Sequence, residues 1–139
     1  MMDVSGRKLW IRAVILVGVV YLVVGVLFAL PSSHVRGWRL AAWAVSAVVA
    51  AAHIGYEHFR LNNSARATAL HASMAVALGA FLLAFAATVH ALMIPSQAPY
   101  WRFLLALVLW PIITALPAFL GALAVAAVLA RLSTKRLAR

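Results

Sequence analysis

Cysteine is absent from this chain of 139 residues, and acid nearly so: Asp3 and Glu57 carry its only side-chain carboxylates. The first absence excludes disulfides, thiolate metal sites, iron–sulfur clusters and cysteine nucleophiles. The second excludes a paired-carboxylate mechanism and a di-metal carboxylate centre within one protomer, because Asp3 stands in the N-terminal tail. Charged residues of both signs make up 10%, too few to cover a water-soluble domain of this size. Also missing are a phosphate-cradling glycine loop, a G-x-S-x-G elbow, an S-x-x-K pair and a TVGYG-like filter.

What is present is apolar. Hydrophobic residues account for 67% of the chain, against about 45–50% in soluble domains, and the mean hydropathy is +1.05. Such a surface must face lipid. The fold class expected is an all-α integral membrane protein, a single membrane domain over residues 1–139. The net charge of +10 points to anionic headgroups of the bilayer rather than to nucleic acid, because the basic residues cluster at the ends of apolar runs and no basic stripe carries interleaved aromatics. Abundant arginine and alanine suit a bacterial inner (plasma) membrane.

A spanning helix needs about 20 largely apolar residues, and four stretches qualify: about 11–30, 38–56, 67–93 and 101–130. Pro31, Ser32 and Ser33 close the first. Its apolar run is too long for a secretory leader, and Leu30-Pro31-Ser32 is a poor cleavage site. The last follows Pro95 and Pro99, exceeds one perpendicular crossing and contains Pro111 and Pro117, so a bend is expected there. The plain reading of these prolines is a bent helix; the functional one is a hinge.

Basic residues set the orientation. Arg7, Lys8, Arg12, Arg60, Arg66, Arg131, Lys135, Arg136 and Arg139 fall on one side, and Arg36, Arg39 and Arg102 on the other, which accounts for all 12. This asymmetry puts both termini and the central loop in the cytoplasm. Trp10 and Tyr56 mark the inner interface, Trp38, Tyr100 and Trp101 the outer one. Short connections then imply an up-down four-helix bundle. Rows of small residues at four-residue spacing (Ala47, Ala51, Gly55; Ala75, Gly79; Ala118, Ala122, Ala126, Ala130) suggest close helix contacts, within the bundle, in a homo-oligomer or with a membrane partner protein.

Ionisable groups inside membrane segments are the default functional candidates, since each is costly in hydrocarbon unless paired or hydrated. They gather at the inner hairpin. His53 and Glu57, four apart, share a helix face, and Ser46 lies seven residues before His53 on that face. Asn62-Asn63 is the expected turn, and His53 and His71 are each nine residues from Asn62, which sets them at one depth. Three readings compete. In the first, the group is an anchoring polar pair at a helix end. In the second, His53, Glu57, His71 and Ser46 form a proton, ion or small-solute site, making the chain a non-enzymatic transport or membrane-complex assembly component. In the third, His53 and His71 ligate haem b or a metal in a redox subunit, with Glu57 orienting a ring nitrogen. H-x-x-x-E-H is not a hydrolytic zinc motif, and no acid, base and nucleophile set converges. His34 and His90, towards the outer side, carry no assigned role.

Overall fold

The computed structural model describes residues 4–29, 36–93 and 99–137, with side chains from 8 to 133 within those ranges. The chain is all-helical: α1 Val4–Ala29, α2 Arg36–Phe59, α3 Ala65–Met93 and α4 Tyr100–Leu137. All four helices are long and apolar enough to span a membrane. Large apolar side chains such as Leu16, Trp43, Leu104 and Ile112 lie exposed around the outside, a surface suited to lipid. The expected turn at 31–33, and Pro95, lie outside the described residues.

The helices outrun the apolar runs that define them. α4 covers 38 residues, about 57 Å at 1.5 Å per residue, because its basic C-terminal stretch continues the helix beyond Ala130. Both prolines sit inside it without interrupting it. Proline removes the N–H that would serve the carbonyl four residues back. Between the two prolines the Thr114 hydroxyl donates to the carbonyls of Trp110 at 2.8 Å and Pro111 at 3.1 Å, a side-chain bond back to the preceding turn of the kind that bends helices.

α3 is the pivot of the packing. It lies most extensively against α4 and next against α1, while α2 touches all three others more lightly, and α1 and α4 do not pack together among the described residues. The packing is therefore not that of a simple up-down order: α3 and α4, neighbours in the chain, pack most extensively, but α1 lies against α3 more than against α2, and α2 against α3 only lightly. Side-chain size is the reason. Ala69 and Ala72 of α3 meet Ala122 and Ala126 of α4, with Ile54 of α2 completing the core. On the α1 side, a Cβ added to Gly79 would stand 3.0 Å from the Gly18 carbonyl oxygen, so the two backbones approach as only small residues permit. The α2 row behaves differently: Ala47 and Ala51 are exposed and Gly55 is half-buried, while the buried face of α2 holds His53, Ile54 and Glu57.

The turn between α2 and α3 positions everything that follows. Asn62 takes a left-handed conformation, φ 49°, which asparagine tolerates better than most residues. The chain then folds back so that the Asn63 N–H reaches the Glu57 carbonyl at 3.2 Å, and Ser64 caps α3 by accepting from the Ala67 N–H at 3.3 Å.

Candidate functional site: a carboxylate between two histidines

Glu57 is fully buried, 0% exposed, in the last turn of α2. Its Oε2 meets His71 Nδ1 at 2.9 Å and accepts a second bond from Asn63 Nδ2. Its Oε1 faces His53 Nε2 at 3.5 Å, a contact too long and poorly aligned to count as a hydrogen bond. These are the ion pairs among the described residues. An ionised carboxylate can only accept, so with Glu57 charged the proton of the shorter pair lies on His71 Nδ1.

Each partner arrives by a different route. His53 comes from one turn earlier on α2, on the same face. Asn63 comes from the turn, where its backbone and side chain both bond Glu57. His71 comes from two turns into α3, and its ring is fixed by Trp10 of α1, stacked at 4.4 Å with an interplanar angle of 1°. α2, the hairpin and α3 thus converge on one carboxyl group, and α1 braces the α3 histidine that meets it. Thr68, one turn before His71, is also 0% exposed, and its Oγ1 has no hydrogen-bond partner. With His53 Nε2 and Glu57 Oε1, that makes three buried polar atoms without hydrogen bonds; each costs on the order of 1–3 kcal/mol.

The other candidates lie elsewhere. Ser46 is half-buried about 10 Å along α2 from His53, and its backbone carbonyl accepts from the Tyr21 hydroxyl at 3.5 Å. Pro111 and Pro117 are remote: the near end of α4 is marked by Ser133, whose hydroxyl lies 3.5 Å from His58 Nε2, and Pro117 is about 24 Å back along the helix. His90 is exposed at the other end of α3; His34 lies outside the described residues.

Trp10, Asn63 and Thr68 are the site residues that sequence reasoning missed or cast differently. Trp10 reads as an interface aromatic and Asn63 as a turn former, and nothing in the local pattern ties α1 to His71. Thr68 had only its position, three residues before His71 on one face, to signal it. Comparison with known proteins returns no matching family, no matching curated protein and no matching solved structure.

Proposed function

We propose that this chain is a multi-pass membrane protein whose hairpin end carries a proton-binding site, and that Glu57, His53 and His71 load the proton as the ion that the bundle moves. The observation that carries this reading is the burial of the sole membrane-associated carboxylate between two imidazoles. An anchoring pair at a helix end would sit in the interface, where water and headgroups satisfy it. Here the group is enclosed, and two of its polar atoms, His53 Nε2 and Glu57 Oε1, have no hydrogen-bond partner, which leaves them capacity to take up a proton or a small ligand. Two imidazoles beside one carboxylate give the group several sites on which a proton can rest and pass from one side chain to the next. The uneven distribution of basic residues supports a cytoplasmic hairpin and cytoplasmic termini, in the inner membrane of a bacterium.

Haem ligation by His53 and His71 draws less support. Glu57 could orient a ring nitrogen of each, but both imidazoles are enclosed and drawn together on the one carboxyl group, so a macrocycle would have to part them. A Soret band in the purified protein would restore that reading. The exposed Ala47 and Ala51 on α2 leave assembly with a second helix open as a further role.

The test is proton flux. Purified protein in liposomes carrying an internal pH dye, driven by a potassium diffusion potential, is expected to acidify the lumen faster than protein-free liposomes. Glu57→Gln should remove the difference while the helical circular dichroism stays unchanged. Equal flux through wild type and Glu57→Gln would overturn the proposal.

A further inference from the structure

At the same end of the bundle an open cleft of about 480 Å³ separates α1 from α2. Its origin lies in how α1 is held. Far from the hairpin, α1 and α2 are joined by Tyr21 on the Ser46 carbonyl and by Phe28 against Trp38 at 4.7 Å. Near the hairpin, α1 is tied instead to α3 through Trp10 on His71. The two helices therefore part between these contacts. Leu16, Val17 and Val20 of α1 and Val49 and Ala52 of α2 wall the deeper part. The polar lining residues, Arg12, His53 and Tyr56, stand together at the hairpin end.

We propose that this cleft binds a single-chain amphiphilic anion entering sideways from the bilayer, its head on Arg12 and its tail along Val17 and Val20. Charge points to the sign of the ligand. Arg12 is exposed and, among the described residues, has no ion-pair partner, since Glu57 is taken up by its histidines on the far side of His53. The Tyr56 hydroxyl, on a residue lining the same end of the cleft, adds donor capacity suited to a carboxylate or phosphate head. Size points to a single chain. The volume is in the range of sites for one small molecule, about 300–1,000 Å³, and from Arg12 to Val20 the wall runs about 12 Å. The proposal goes beyond the proton site and stands apart from it, because occupancy is read without any flux.

The probe is a photoreactive diazirine analogue of a medium-chain fatty acid, added to the protein in phosphatidylcholine nanodiscs, with adducts mapped by mass spectrometry. Labelling should concentrate on residues 13–20 and 49–52 and be competed by laurate but not by methyl laurate. Arg12→Gln, which removes the charge, and Ala52→Phe, which fills the cleft from an exposed position, should each lower it about tenfold, the loss expected for a charged hydrogen bond or a blocked site. Both variants should retain wild-type elution and helicity. Adducts spread over the outer face of α4, equal competition by methyl laurate, or labelling indifferent to both substitutions would overturn the proposal. Displacement by phosphatidylglycerol alone would assign the cleft to a bilayer phospholipid and overturn the single-chain ligand.

Discussion

Replacing Glu57 with alanine takes away the acceptor shared by His71 Nδ1 and Asn63 Nδ2, and leaves His53 without its charged neighbour. In a soluble protein a hydrogen bond to a charged group contributes about 1.5–3 kcal/mol. In membranes the separated helices find other partners, and measured interhelical couplings average about 0.6 and reach about 1.7 kcal/mol. The His71–Glu57 contact, charge-assisted, buried and 2.9 Å long, belongs near the top of that range, at about 1.5 kcal/mol, or roughly tenfold in the unfolding constant. His53–Glu57 should differ in kind. It is 3.5 Å long and joins residues of one helix four apart, so it persists when the helices separate and the spans stay helical, and its coupling should fall below about 0.5 kcal/mol. Two double-mutant cycles, His71→Ala with Glu57→Ala and His53→Ala with Glu57→Ala, followed by reversible unfolding in mixed detergent micelles, measure both numbers. A His53 coupling equal to or above that of His71 would refute the reasoning.

Glycine positions give a contrasting pair. Gly79→Ala should destabilise by about 1–3 kcal/mol through overpacking against Tyr21 and the Gly18 carbonyl, whereas Gly121→Ala, where an added Cβ meets open space, should be neutral or stabilising by up to about 1 kcal/mol; micelle unfolding compares them, and equal effects would contradict the close α1–α3 approach. Ser64→Ala should cost about 1 kcal/mol as a lost helix cap and speed amide exchange in the first turn of α3, with Ser64→Asp restoring both. For topology, reporters fused at Ser64 and after Arg139 should report cytoplasm, and reporters at Ser33 and Gln97 the opposite side. An external signal at Ser64 would reverse the orientation and with it the compartment that supplies the proton site.

Four helices are legible from hydropathy because a lipid-facing helix must be apolar over a length that nothing else in a small protein requires. The meeting of His53, Glu57 and His71 is legible for a geometric reason: one four-residue step and two equal distances from Asn62 survive folding when a tight turn joins two straight helices. Order around the bundle is not legible. It depends on which alanine rows face inward, and in a chain this rich in alanine the α2 row at Ala47 and Ala51 has the same spacing as the α4 row at Ala122 and Ala126, yet one is exposed and the other buried. Ser46 shows the same limit. Seven residues return it to the His53 face, but two turns of rise set it against Tyr21 instead. Trp10 is hidden more deeply still, because its contact with His71 depends on α1 lying against α3.

The scarcity of acid gives the site its weight. In a membrane-inserted bundle, the arginines and lysines near the helix ends would have headgroup counter-ions at hand, so charge balance alone calls for no carboxylate. Glu57 is nonetheless enclosed, and neither Arg60 nor Arg66, both exposed beside the hairpin, pairs with it. An arginine partner would hold a permanent charge across the whole physiological range. Histidine partners do not. A carboxylate neutralised by arginine is a fixed structural joint, whereas one neutralised by imidazole is neutral only while a proton is present. Exchanging the partner therefore separates structure from function: His71→Arg, if accommodated beside Glu57, should preserve or raise resistance to unfolding while removing the pH dependence of flux. A variant that assembles normally and keeps the wild-type pH profile would show that His71 does no more than hold two helices together.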